Sequence, residues 1–171
     1  MEINQPGDIT LMDTLFESQT GEQHCSPVLF EINGYRYLYA LNNKAAILQQ
    51  IPLFGVCLGL QGIVEYFGGR LDILNYPMHG KSSTVKVLHH DDIFAGFETS
   101  FTAARYHSLH ANIDALPDVL SITAISEDDV VMAIAHRRLP VYAVQFHPEA
   151  ILSLPQHAGI RIIGNLMSNL G

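Results

Sequence analysis

The sequence predicts an α/β domain with a mostly parallel sheet that is flanked by helices. From Ile51 onward, short apolar runs alternate with amphipathic ones, and Gly, Pro and Asp separate them. The run at 51–56 is largely apolar, which suits a strand buried on both faces of a sheet. A helical pattern follows it at once, and a second one ends the chain. These features favour helices packed on a central sheet.

The elements after this first strand follow in a clear order. Apolar residues recur at helical spacing over 58–67, and Gly68-Gly69 predicts the end of that helix. The segment 159–170 also places its apolar residues on one helical face. Shorter segments between the two helices have strand character: 83–88, 121–125, 130–136 and 141–146, the last two flanking a turn at 137–140.

The N-terminal part has a different pattern, so we divide the chain into an atypical segment at 1–41 and the principal domain at 42–171. Asn33-Gly34 separates two β-prone runs within 28–41, which predicts a hairpin with a type I′ turn. Residues 45–50 are expected to end a helix that leads into the first core strand.

Composition excludes several classes of protein. The chain has 171 residues, of which 48% are hydrophobic and 15% charged, as in a globular domain. A net charge of -8 argues against nucleic acid or an anionic membrane surface as a partner. No apolar stretch approaches the roughly 20 residues of a membrane span, and the start lacks a secretion signal, so a cytoplasmic location is expected. The two cysteines, Cys25 and Cys57, predict neither a disulfide framework nor a zinc site.

A nucleophile motif lies where the first core strand meets the first helix. Gly55-Val56-Cys57-Leu58-Gly59 has a candidate nucleophile between two glycines. Such a turn strains its central residue, and side chains at both glycine positions are expected to collide with the strand and helix. The helix N-terminus would favour the Cys57 thiolate, and the Leu58 N–H would stabilise a substrate oxyanion. The alternative is that Cys57 is a small buried apolar residue.

A candidate base follows the last predicted strand. His147-Pro148-Glu149 comes directly after 141–146, and functional groups of α/β sheets collect at the carboxyl ends of strands. His147 would take the thiol proton, and Glu149 would orient its imidazole. The alternative is a loop histidine beside a solvated glutamate. The presence of the nucleophile motif favours the catalytic interpretation.

These motifs resemble those of the class I glutamine amidotransferases, and within them the glutaminase subunit or domain of anthranilate synthases. The segment 55–61 is similar to the nucleophile segment of the family, and 145–149 to its His/Glu segment. Residues 76–81 and 105–109 extend the likeness, which covers 42–169. The resemblance implies a flavodoxin-like sheet.

The resemblance also assigns substrate contacts. Gln61 and the backbone of Ser108 and Leu109 would hold the amino-acid head group of L-glutamine, which needs hydrogen-bond donors and acceptors. Leu58 would supply its N–H to the oxyanion. An ordinary turn residue is the alternative interpretation of Ser108.

The likeness fails before residue 42. Family members begin with a strand, a helix and a second strand that ends in a Pro-Gly-Pro-Gly loop, and this loop provides the other oxyanion donor. Pro6-Gly7 is a poor match because no strand precedes it. The N-terminal strands are therefore expected to be replaced or truncated, which would expose a sheet edge unless the hairpin at 28–41 covers it. Loss of one oxyanion donor costs about 100-fold to 1,000-fold in rate. Ala150, where the family usually has Ser, is expected to have little effect.

The resemblance implies a cysteine mechanism without a metal or organic cofactor. The Cys57 thiolate would attack the glutamine amide, a glutamyl thioester would form, and His147 with Glu149 would move the protons. Ammonia would pass to a chorismate-binding synthase, as a separate chain or a fused domain, for tryptophan biosynthesis. Folate or phenazine supply is equally compatible. Two alternatives stay open: a γ-glutamyl cysteine hydrolase, and a catalytically impaired remnant or binding subunit.

Overall fold

A computed structural model describes residues 10–13, 28–32, 35–39, 47, 52–90, 92–153 and 157–170. Its first three strands form a separate antiparallel sheet in the order β1-β2-β3: β1 (Thr10–Asp13), β2 (Val28–Ile32) and β3 (Tyr35–Tyr39). Ile32 pairs with Tyr35, which confirms the predicted hairpin. Its turn at 33–34 and Pro6-Gly7 lie outside the described residues. Ile47 is helical, as expected, and the rest of 45–50 is outside them too.

The described residues form a main sheet of six strands, in the order β4-β9-β8-β7-β5-β6. They are β4 (Leu53–Val56), β5 (Leu71–Val87), β6 (Ser100–Ala111), β7 (Leu120–Ser126), β8 (Val131–His136) and β9 (Val141–Val144). All the predicted core strands are present, and the strand predicted at 83–88 corresponds to the C-terminal end of the much longer β5. Within the described part of the chain, β4 forms an edge of this sheet, and β3 does not pair with it.

The strand directions correct one expectation. The α/β class is confirmed, but of the described pairs in this sheet only β4 and β9 run parallel, so the expectation of a mostly parallel sheet is wrong there. The connections β7–β8 (127–130) and β8–β9 (137–140) are four residues each. A parallel crossover needs about a dozen residues or more, so these strands must pair antiparallel.

Beyond Ile47, the described residues form two α-helices that flank the sheet, α1 (Leu58–Tyr66) and α2 (Ala158–Leu170), with short 3-10 helices at Asp92–Phe94, Ile113–Ala115 and Ile151–Ser153. The predicted end of α1 is confirmed. Gly68 has φ 88°, its N–H donates to the Glu65 carbonyl at 2.9 Å, and Gly69 donates to the Val64 carbonyl at 2.8 Å. This paired arrangement is the Schellman ending that a left-handed glycine permits. No described helix has the length and apolar character needed to cross a bilayer.

The core consists of two apolar clusters, one on each face of the sheet. Alternate residues of β9 separate them: Val141 and Ala143 pack with α1, whereas Val144 belongs to the cluster that contains α2 residues. Both faces of the short strand β9 are thus covered. This burial anchors the carboxyl ends of β4 and β9, where the candidate site lies.

Candidate active site

Cys57 occupies a strained bend between β4 and α1. Its backbone has φ 53° and ψ -100°, and its N–H donates to the Val144 carbonyl of β9 at 2.8 Å. A Cβ on Gly55 would come within 2.8 Å of the Gly59 carbonyl carbon, which confirms the expected collision there. At Gly59 the expectation is wrong, because no described atom outside its chain neighbours and its own helix backbone lies within 4 Å of a Cβ placed there. Only the first glycine is needed for steric reasons.

The thiol of Cys57 is half-buried, and its surroundings raise its pKa. Burial is the largest cause, and the negative charge of Glu149 adds to it. Hydrogen bonds from the Leu58 N–H and the Gln145 side chain act in the opposite direction. The helix N-terminus therefore favours the thiolate as expected, but burial outweighs it.

His147 is held by both its side chain and its backbone. Its Nδ1 lies 2.6 Å from Glu149 Oε1, which leaves Nε2 as the nitrogen available for proton transfer. Its N–H donates to the Ala104 carbonyl of β6 at 2.9 Å. The Ser153 hydroxyl donates to the His147 carbonyl at 2.6 Å and accepts from the Ala104 N–H at 2.9 Å. The rings of His147 and Tyr106 are nearly perpendicular, with centroids 5.3 Å apart. The predicted pairing of His147 with Glu149 is thus present.

The three candidate catalytic residues lie at one end of two adjacent strands. Cys57 follows β4 and His147 comes shortly after β9, and these strands are parallel, with Val56 beside Val144. The negative charge of Glu149 is one of the causes that raise the pKa of the Cys57 thiol. Among the described residues, the side chain that hydrogen-bonds Cys57 Sγ is Gln145, at 3.5 Å, and not His147. Proton transfer between Cys57 and His147 stays a prediction.

The predicted substrate residues lie beside this end of the sheet. Gln61 is 4% exposed, and its Nε2 donates to the Leu109 carbonyl at 3.0 Å and to Gln145 Oε1 at 3.2 Å. Ser108 lies within β6, so its interpretation as a turn residue is wrong, and its hydroxyl is 3.5 Å from His79 Nε2. Leu58 is 60% exposed at the start of α1. How these groups contact glutamine stays a prediction.

Sequence reasoning missed three polar residues behind the site: Arg105, His107 and Gln145. All three are buried, and Arg105 and Gln145 are fully enclosed. Arg105 donates to Asp128 at 2.7 Å. The pKa of Asp128 is lowered overall: burial raises it, but the hydrogen bond from Arg105 is among the effects that outweigh burial. The available signal was their position inside the two motif segments, where a charged or polar residue interrupts an apolar strand pattern.

The buried His107 should make stability depend on pH. Burial is the main cause that lowers the pKa of His107 from 6.5 to about 4, aided by the positive charges of Arg105 and His110 and opposed by the Leu109 carbonyl and Asp128. Between these pKa values the unfolded chain binds more protons than the folded one, so stability rises with pH across this window. Urea unfolding followed by circular dichroism should show a steeper rise from pH 4 to 6.5 than in His107→Asn. Equal slopes would contradict this assignment.

The fold and site together define an α/β protein that presents a cysteine at a nucleophile elbow. A sequence profile of the family glutamine amidotransferase class-I matches residues 33–163. The chain therefore belongs to the class I glutamine amidotransferases, as its motifs predict.

Two relatives within this family have names that refer to anthranilate synthase. A protein named anthranilate synthase from Azospirillum brasilense is 55% identical over 126 residues, which cover 74% of this chain and 17% of that protein. Aminodeoxychorismate/anthranilate synthase component 2 of Bacillus subtilis is 43% identical over 106 residues, 61% of this chain and 53% of the relative. The matched region thus spans about half or less of either relative.

A solved structure supports the fold. The crystal structure of a glutamine amidotransferase from Thermotoga maritima superposes with a TM-score of 0.56 at 18% identity, covering 74% of this chain and 51% of that one. At this identity the likeness concerns the fold alone.

Proposed function

We propose that this chain is the glutaminase component of an anthranilate synthase, and that it hydrolyses glutamine to glutamate and ammonia. The observation that carries the proposal is Cys57 on a strained elbow beside the strand that leads to the hydrogen-bonded His147–Glu149 pair. A nucleophile, a base and an orienting acid at one sheet edge are the parts that acyl transfer requires. The names of the two relatives support the same assignment.

The proposed reaction begins with proton transfer from Cys57 to His147 Nε2. Nδ1 is engaged by Glu149, so the imidazolium that forms is stabilised and oriented. The thiolate attacks the side-chain amide carbon, and the Leu58 N–H stabilises the oxyanion. His147 returns the proton to the departing nitrogen, ammonia leaves, and water activated by His147 hydrolyses the thioester to glutamate.

Substrate binding is assigned to Gln61 of α1 and to the backbone of Ser108 and Leu109 of β6. The Nε2 of Gln61 donates to Leu109 and to Gln145. These internal hydrogen bonds do not use the side-chain oxygen of Gln61, so this oxygen can accept a hydrogen bond from substrate. The Leu109 carbonyl accepts a hydrogen bond from Gln61, and Ser108 precedes Leu109 in β6. These groups suit an ammonium and a carboxylate better than an apolar ligand.

The ammonia acceptor is proposed to be a chorismate-binding synthase chain or fused domain. The relative from Azospirillum carries the matched segment within a much longer protein named anthranilate synthase, and the Bacillus protein is named as a component 2. Both names are compatible with a glutaminase that works beside a second catalytic unit. A location in the cytoplasm is proposed with this function.

Trapping the acyl-enzyme tests the proposal. The purified chain, alone and with a synthase partner, is incubated with a glutamine-analogue electrophile, and glutamate release from glutamine is measured in parallel. We expect a single adduct on Cys57 by peptide mass spectrometry and glutaminase activity that is largest with the partner. An adduct without glutamine turnover but with cleavage of γ-glutamyl peptides would favour a hydrolase. Absence of both adduct and turnover would indicate a non-catalytic subunit and reject the proposal.

A further inference from the structure

A continuous set of buried and partly buried hydrogen bonds leads from a charged pair to the candidate nucleophile. It begins at Arg105, which is fully buried and whose NH1 donates to Asp128 at 2.7 Å and to the Ser83 hydroxyl at 3.2 Å. Its Nε donates to His107 Nε2 at 3.1 Å. A buried guanidinium held by an ion pair is a rigid starting point.

The direction of the next hydrogen bond follows from the first. Arginine has donors only, so His107 Nε2 must accept and carry no hydrogen. The low pKa of His107 keeps its ring neutral above about pH 5, so the single ring proton is on Nδ1. Nδ1–H then donates to the Leu109 carbonyl at 2.8 Å. The structure thereby selects one tautomer of this histidine.

The remaining hydrogen bonds fix two side-chain amides. The Leu109 carbonyl also accepts from Gln61 Nε2 at 3.0 Å, and the same nitrogen donates to Gln145 Oε1 at 3.2 Å. Because its oxygen faces Gln61, Gln145 must turn its Nε2 toward Cys57 Sγ, which lies 3.5 Å away. The Leu109 carbonyl can only accept, so it fixes the orientation of the Gln61 amide, and the Gln61 nitrogen then fixes that of Gln145.

We propose that Gln145 is a positioning residue whose amide donates a hydrogen bond to the Cys57 sulfur. In this proposal, Arg105 and His107 are positioning residues that help to fix the orientation of the Gln145 amide. We call this set, with Gln61 and the Leu109 carbonyl, the donor chain. A fixed N–H aimed at sulfur favours the thiolate over the thiol. This hydrogen bond opposes the effects of burial and of the Glu149 charge on the thiol. Reactivity at Cys57 then depends in part on Arg105, His107 and Gln145, which are not assigned to substrate binding. The role in turnover rests on the proposed glutaminase function.

The reactivity of the thiol tests this proposal without glutamine or a partner. Cys25→Ser is used as the background, so that iodoacetamide alkylation reports Cys57 alone. The rate is measured from pH 6 to 10 in the background protein and in Gln145→Leu. We expect the apparent thiol pKa to rise by about one unit, so that alkylation at pH 7.5 slows about tenfold. An unchanged profile in folded Gln145→Leu would overturn the proposal.

Variants further along the donor chain separate positioning from general stability. His107→Phe should shift the profile in the same direction, whereas His107→Asn, which keeps a donor for Leu109 and an acceptor for Arg105, should restore it at least in part. Thr123→Val is the matched control, because this threonine is also buried and its hydroxyl has no described partner. A shift in Thr123→Val as large as in His107→Phe would indicate a structural effect and reject the donor chain.

The unsubstituted protein provides a measurement that needs no folded variant. Long-range proton–nitrogen NMR spectra distinguish the two neutral histidine tautomers, and we expect the Nδ1–H form for His107 at pH 7. An Nε2–H form or a charged ring would overturn the proposed direction. Failure of glutaminase activity with intact alkylation shifts would reject the proposed function alone. Active glutaminase with unchanged shifts would reject the donor chain alone.

Discussion

Glutamine hydrolysis should fall to background when Cys57 is replaced by Ala, a loss of about 10⁴-fold or more. No other nucleophile among the described residues lies at the elbow between β4 and α1, so the thioester cannot form. Glutamate release is measured in the complex of this chain with its synthase, at saturating glutamine. Synthase activity with added ammonia should be retained, because ammonia bypasses the thioester.

Cys25→Ser is the control for this result, since it removes the other cysteine and lies outside both motifs. It should keep glutamine-dependent activity near that of the unsubstituted chain. Retained glutamine dependence in Cys57→Ala would reject the mechanism. Loss of ammonia-dependent activity as well would show that the substitution damages the complex rather than the chemistry.

The elements that sequence predicted best are those specified by local signals. Both ends of α1 follow from residues next to them: the elbow at Cys57 begins it, and Gly68-Gly69 ends it through two short-range hydrogen bonds. The hairpin at β2 and β3 follows from a two-residue turn signal. In each case the deciding interaction spans only a few residues of sequence.

Strand length and direction were harder to predict. Much of β5 between Leu71 and Ser82 is exposed, so its residues lack the apolar alternation that identifies a strand. It is defined by pairing with β6, with register shifts near Ile73 and His79, and such pairing depends on residues distant in sequence. The short connections around β8 did indicate antiparallel neighbours, a signal that the expectation of a mostly parallel sheet did not use.

The sequence indicated the candidate reactive groups, but it did not indicate the residues that hold them in place. Cys57, His147 and Glu149 stand in recognisable motifs, whereas the side-chain partners of Gln145 come from α1 and the elbow. Nothing local to residue 145 specifies which amide atom faces sulfur. Burial of the thiol, which raises its pKa, is likewise a property of the packed chain.

The two glycines of the nucleophile motif should respond oppositely to the same substitution. Gly55→Ala should destabilise the chain by about 1–3 kcal/mol, because the new Cβ meets the backbone of Gly59 and that backbone can only shift as part of α1. The shift would move Cys57, so alkylation of the thiol should change as well. Thermal unfolding followed by circular dichroism measures the first effect and iodoacetamide labelling the second.

Gly59→Ala provides the matched control within the same turn. Space is free around its Cβ position, its φ is not positive, and alanine is a better helix former by up to about 1 kcal/mol. Its melting temperature should equal or exceed that of the unsubstituted chain, while Gly55→Ala melts several degrees lower, at about 2–4 °C for each kcal/mol. Equal destabilisation by both would mean that α1 packs more closely on β4 than the Gly59 surroundings indicate. Equal tolerance would mean that the elbow relaxes freely, and the strain at Cys57 would then not depend on Gly55.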